Sequence, residues 1–203
     1  MMAVVIGTIL MITLSGKEKN TFTNEKINLQ INTFSCHDSL FHSGDIIFRD
    51  GRGLISNAFK KFSQTDSRYS HAGIIHKENG KTFVLHLIDS RDDNNMKKET
   101  LNEFCSGIRS NGFAVYRTNL DGNKIDSIAK FFYSKNIKFD TDFSLMTDDK
   151  MYCTELIYKV LILVSGDVNF LPLTTISGIK YEACDNIYLS SHLKKIYSFD
   201  YSF

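Results

Sequence analysis

Three observations predict an α+β fold with an antiparallel sheet. Short strands and amphipathic helices are interspersed along the chain. The dipeptide Asn79-Gly80 lies between two alternating apolar runs. It is a strong hairpin signal, because both central residues of a type I′ turn need positive φ. Three further segments carry apolar residues at helical spacing. A length of 203 residues suits one globular domain with appendages rather than two full domains.

The elements follow in order. Ala3 to Leu14 is almost wholly apolar and stops at Ser15-Gly16-Lys17. It is shorter than the ~20 apolar residues of a membrane-spanning helix. Its length fits the apolar core of a secretory signal, although no Lys or Arg precedes it and the cleavage pattern is poor. Export, or a membrane-tethered N-terminus, is the expectation; a buried N-terminal strand is the other reading. Residues 1–16 are therefore set apart from a single domain over 17–203, whose first stretch to residue 35 is a polar leader. Gly44 to Phe48, "GDIIF", reads as a strand after a turn at Ser43-Gly44. Gly53 to Phe62 places Leu54, Ile55, Ala58, Phe59 and Phe62 at helical spacing. Residues 113–118, "FAVYRT", alternate as a strand does, and Asn123 to Asn136 is a second amphipathic helix. A third runs from about Asp149 to Val164, and the tail after Pro172 holds short mixed segments.

Composition narrows the function. The formal net charge is +1, and no basic block exceeds a pair of lysines, so there is no footprint for nucleic acid. The four cysteines, Cys36, Cys105, Cys153 and Cys184, form no C-x-x-C pair. Neither a zinc ribbon nor a thioredoxin-like motif is supported. Cys36, His37 and His42 match no usual zinc spacing, and no metal site is expected.

The hairpin holds three of the six histidines. With Asn79-Gly80 as its loop, Glu78 faces Lys81, Ile75 faces Val84, Gly73 faces His86 and His71 faces Ile88. Side chains alternate faces along each strand. His71, Gly73 and Ile75 therefore share a face with Val84, His86 and Ile88, while His76 lies on the other. His71 and His86 become diagonal neighbours, with Cβ atoms roughly 7–8 Å apart, a gap two imidazoles can bridge. Gly73 removes the side chain that would crowd them. Two half-buried histidines with backbone partners are the plain alternative.

Downstream, Leu156, Ile157, Val160, Leu161 and Val164 follow Cys153 on one helical stripe, so Cys153 faces inward. Thr147, Asp148 and Asp149 are candidate N-caps, and Gly166 a candidate stop. Cys153 then lies in the first turn, where the helix dipole favours thiolate. A cysteine there, packed on a sheet that bears a histidine, is the arrangement a thiol nucleophile needs. A small buried hydrophobe is the alternative.

The succession "GDIIF", "SHAGII", "VLHLI" resembles the sheet motifs of NlpC-type papain-like cysteine peptidases. There the nucleophile precedes these strands. Here "MYCTELIY" follows them, as in the circularly permuted branch of YiiX-like proteins and lecithin:retinol acyltransferase relatives. "FDTDFSLMTDDKMYCTELIYK" is similar in detail to the YiiX-like group, and the resemblance covers about residues 43–175. It implies a permuted papain-like fold, with the antiparallel sheet packed against the cysteine-bearing helix. It also implies Cys153 as nucleophile, His71 as general base and His86 as the third polar residue. Tyr152 matches an aromatic beside the nucleophile and is expected to wall the substrate pocket. Glu155, about 200° around the helix from Cys153, points away and reads as structural. Asp45 and Asp140 are expected to hold loops.

The implied activity is acyl transfer by a thiol hydrolase on an amide or ester bond, without metal or organic cofactor. The substrate is small and acylated or peptidic: a cell-wall peptide, or a lipid or N-acyl amino acid. A non-catalytic or weakly catalytic lipid or amino-acid binding module on the same fold is the competing reading. The N-terminal segment adds an expected exported, cell-envelope or membrane-tethered location.

Overall fold

The computed structural model describes residues 35–89 and 94–201. The apolar segment of residues 3–14 lies outside them. Six strands form one sheet in the order β10-β5-β1-β2-β3-β4: β1 Ile46–Gly51, β2 His71–Glu78, β3 Lys81–His86, β4 Lys97–Thr100, β5 Ser110–Thr118 and β10 Leu193–Asp200. Every neighbouring pair in it is antiparallel. Two small ribbons pair β6 Lys138–Phe139 with β7 Lys150–Met151, and β8 Thr174–Ile176 with β9 Ile179–Tyr181. Among the described residues five α-helices accompany them: α1 Leu54–Lys60, α2 Leu101–Cys105, α3 Gly122–Ser134, α4 Cys153–Ser165 and α5 Cys184–Tyr188.

The alternation of β1 shows how the sheet is clothed. Ile46 and Phe48 enter the core that α3 and α4 cover, with Ala72, Ile74, Leu156, Ile157 and Val160. Ile47, one residue over, joins Ile75, Val84, Leu101, Phe104 and Val115 on the opposite face, under α2. A period of two thus serves two cores, which is why β1 and β2 are apolar on both sides.

The hairpin has the register its turn dictates. Asn79 and Gly80 have φ of 52° and 72°, and Glu78 pairs with Lys81, His76 with Phe83, Ile75 with Val84. His76 lies on the α3 side, where Nδ1 meets the Asp126 carboxylate at 2.8 Å.

Three elements differ from the sequence reading. Helix α1 forms, but none of its residues is buried; Leu54 and Ile55 are 89% and 72% exposed. Helix α4 begins at Cys153, and its N-cap is Tyr152 rather than Thr147, Asp148 or Asp149. Lys150 and Met151 pair with Lys138 and Phe139, which keeps the chain extended up to Tyr152. The tail also contributes a full strand: β10 pairs with β5, and a register shift between Lys195 and Tyr197 interrupts its alternation.

Candidate active site

His71 opens β2 and His86 closes β3, which brings both imidazoles to one end of the hairpin. His71 Nε2 and His86 Nδ1 are 2.9 Å apart, and both side chains are buried. Gly73 makes room for this pair. A Cβ at position 73 would meet Val84 Cγ1 at 2.4 Å and His86 Cβ at 3.1 Å. Phe104 of α2 packs on both rings, stacked with His71 at 5.6 Å between centroids and edge-on to His86 at 5.1 Å. Arg49, directly across from His71 on β1, lays its guanidinium 4.7 Å from the Phe104 centroid and donates to the Phe104 carbonyl.

Cys153 arrives from the other side. The body of α4 packs on the Ala72 and Ile74 face, and its first residue lies where β2 begins. Cys153 and His71 line a single cavity of about 390 Å³, together with Arg49 and Tyr152. Backbone N–H groups of Ala72, Thr154 and Cys153 face the sulfur. His71 thus reaches the cavity from one face of the sheet and Cys153 from the other, around the end of the strand.

The electrostatics favour a neutral resting pair. Burial pushes the Cys153 thiol up, and the surrounding N–H groups and Arg49 offset this only in part. Burial, then Arg49 and His86, hold His71 well below the ordinary imidazole value. The thiolate expected from the helix dipole alone is outweighed here by desolvation.

Tyr152 also lines the cavity; its hydroxyl accepts from the Glu182 N–H at 2.8 Å, and its ring packs on Phe143. Glu155 points away from Cys153. It accepts from the Tyr152 N–H at 3.2 Å and pairs with Lys159 at 2.9 Å. Asp45 accepts from the His42 N–H and from Arg117, and Asp140 from the N–H groups of Asp142 and Ser144, so both hold loops. Cys105, Cys153 and Cys184 are free thiols. Among the described residues no group of three or more His, Cys, Asp or Glu is arranged to hold a metal ion; the side chains of Cys36 and His37 lie outside that set.

Arg49, Phe104 and Glu99 escaped the sequence reading. Glu99, on β4, sits diagonally across from His86, with Oε2 3.3 Å from His86 Nε2 and Oε1 2.9 Å from Arg109. Burial opposes its charge, but His86 and Arg109 hold its carboxyl down at about 2. "KKET" carries no apolar alternation to mark a strand. The signal available was the capping pair Thr100 and Glu103, which starts α2 and fixes what precedes it as extended.

Comparison with known proteins places this geometry in a family. YiiX of Escherichia coli K12, described as uncharacterised, is 28% identical over 123 residues. That match spans 58% of this chain and 56% of YiiX, so the chain matches about half of its relative's length. A crystal structure of yiiX from Escherichia coli O157:H7, described as a metalloprotein, shares the fold with a TM-score of 0.64. Its identity is 19%, and the likeness covers 79% of this chain and 98% of that one. The family model of the permuted papain-like amidases, YaeF/YiiX, C92 family, matches residues 40–177. With its antiparallel sheet and with Cys153 after β1, β2 and β3 rather than before them, the chain belongs to the permuted papain-like amidase family.

Proposed function

We propose that this protein is a thiol hydrolase that cleaves an amide or ester bond to an apolar acyl group, with Cys153 as nucleophile, His71 as general base and His86 orienting that base. One observation carries the reading: Cys153 and His71 line the same cavity, and His71 is held through Nε2 by His86 at 2.9 Å. That bond leaves His71 Nδ1 to exchange a proton with the sulfur.

The chemistry starts from the neutral pair. His71 Nδ1 takes the thiol proton as the Cys153 sulfur bonds to the carbonyl carbon, and the electron pair of the C=O bond moves to oxygen. In this reading the Cys153 and Thr154 N–H groups at the head of α4, which face the sulfur, receive that oxyanion; one good donor contributes ~3–4 kcal/mol. Collapse re-forms the carbonyl and expels the amine or alkoxide, which takes the proton from His71. Water, giving a proton to His71, then adds to the thioester carbonyl; collapse breaks the C–S bond, releases the acid, and the Cys153 sulfur takes the proton back from His71. No step is routed through a metal.

The cavity supports an acyl substrate over a polar cell-wall peptide. Ile55, Phe59, Phe62, Ile108, Phe139 and Phe143 line it. A volume of about 390 Å³ is of the size that holds a small ligand. The apolar segment of residues 3–14 fits a tether to the membrane or cell envelope, where such substrates reside.

The test is hydrolysis of p-nitrophenyl acetate and octanoate, and of N-octanoyl amides, by wild type and Cys153→Ala. Wild type should prefer the longer chain, and Cys153→Ala should lose turnover on all of them. Equal rates for the two proteins would reject the nucleophile. A preference for acetate would reject the apolar acyl site.

A further inference from the structure

The line of contacts that begins at His71 continues past His86. We propose that Glu99 is a positioning residue that sets the hydrogen positions of both imidazoles and supplies the countercharge when His71 becomes protonated. This rests on the assignment of His71 as general base.

Donors and acceptors along this line fix where each hydrogen lies. To take a proton at Nδ1, neutral His71 must carry its hydrogen on Nε2. That hydrogen points at His86 Nδ1, 2.9 Å away, so His86 Nδ1 must accept. His86 then carries its own hydrogen on Nε2. That atom is buried, and Glu99 Oε2 lies 3.3 Å from it. The contact is long and oblique, yet among the described residues neither atom has another hydrogen-bond partner. Each is the partner the other has.

Without Glu99, His86 has no acceptor for an Nε2 hydrogen. The favoured arrangement then reverses: His86 donates from Nδ1 to His71 Nε2, and the His71 hydrogen moves to Nδ1. That is the wrong tautomer for a base facing Cys153. A buried donor without an acceptor is costly enough to invert a tautomer preference.

Glu99 is built for this role. Arg109 holds its Oε1 at 2.9 Å, leaving Oε2 for His86. Four charged or titratable groups act on it from the elements around: His86 of β3, Arg109 ahead of β5, Arg49 of β1 and Glu103 of α2. When the Cys153 proton lands on His71 Nδ1, the positive charge stays on that ring. The Nε2–H of His71 still donates to His86, and the Nε2–H of His86 to Glu99. No second proton moves, and the carboxylate stabilises the cation through the intervening imidazole.

Two variants separate the two roles. In an Arg109→Ala background, which leaves the one amide oxygen for His86, glutamine at position 99 keeps the acceptor but loses the charge; alanine at position 99 loses both, and Arg109→Ala alone is the reference. Nitrogen-15 NMR of the histidine side chains should show wild-type His71 and His86 each protonated on Nε2. Glu99→Gln should keep that pattern, and Glu99→Ala should move the hydrogens to Nδ1. In hydrolysis of p-nitrophenyl octanoate, Glu99→Gln should lower kcat about 10-fold at unchanged KM. It should also shift the acid limb of the rate profile to lower pH, since a weaker base protonates later. Glu99→Ala should lose about 100-fold, still less than the ~10⁴ lost when a serine triad's acid is neutralised directly. A wild-type spectrum with the His86 hydrogen on Nδ1 would overturn the proposal, and needs no variant. So would Glu99→Ala with wild-type tautomers and an unmoved acid limb. If Cys153→Ala hydrolysed the ester as fast as wild type, the base assignment would fail instead, and the spectra would still report on Glu99.

Discussion

At position 73 a single methyl group decides whether two histidines can meet. Its Cβ would lie 2.4 Å from Val84 Cγ1 and 3.1 Å from His86 Cβ, so Gly73→Ala has to displace β3. We expect a loss of about 1–3 kcal/mol in urea unfolding, the usual cost of overpacking. Activity should fall more than stability, because the same shift breaks the 2.9 Å contact of the imidazoles. At this scale the sequence was informative where a turn fixed the register. Asn79-Gly80 and a period of two put His71 and His86 together and His76 elsewhere, and no other information was needed. It was silent on Glu99, whose strand has no apolar pattern, and on Phe104, whose contact with both rings depends on where α2 crosses the sheet. It also misjudged the sulfur. Helix position alone favours thiolate, but burial outweighs it and pushes the thiol up. Alkylation of the Cys153 peptide by iodoacetamide should therefore climb steadily through alkaline pH and be slower still in His71→Ala. A plateau reached below pH 7 would contradict the neutral resting pair.

Helix α4 shows how an element places its first residue. The predicted caps at Thr147 to Asp149 are not used, because Lys150 and Met151 are drawn into a short ribbon with β6. Glu155 takes over the capping, accepting from the Tyr152 N–H, and Lys159 braces it one turn later. Burial raises the Glu155 carboxyl from 4.5 to about 7, even against Lys159 and the Tyr152 N–H. The consequence for stability has a definite sign. Below the unfolded value both states hold the proton. Between 4.5 and about 7 the unfolded chain releases it while the folded one retains it, so this group makes stability fall as pH rises. Glu155→Gln should flatten that slope in thermal melts between pH 4.5 and 7; an unchanged slope would contradict the assignment. The long helices α3 and α4 were legible because apolar residues recur along one stripe of each, although the first turns of α4 are buried all round, Thr154, Glu155 and Lys159 included. Strand β10 was not, since its register shift breaks the alternation that marks a strand.

Across the whole molecule, the sheet carries two cores, and the cavity opens where β2 begins, beside α1. Helix α1 was legible as a helix, yet Leu54 and Ile55 stay out of the core and Phe59 only packs against its edge. Ile55 and Phe59 line the cavity instead, with Leu54 exposed beside them. Local spacing cannot distinguish these two uses of an apolar stripe, because both need the same pattern. Their use does separate them by experiment. Ile55→Ser, at an exposed position, should change stability by less than about 0.5 kcal/mol. It should raise KM for an octanoyl ester more than for an acetyl ester. A buried-core role would give the reverse, a clear drop in melting temperature with no change in chain-length preference.

Rapid quenching of the protein with p-nitrophenyl octanoate, followed by intact-mass and peptide mass spectrometry, traps the acyl-enzyme itself. One octanoyl group should accumulate on the Cys153 peptide in wild type, form far more slowly in His71→Ala, and be absent from Cys153→Ala. Turnover with no adduct, or an adduct on another residue that survives in Cys153→Ala, would contradict the account.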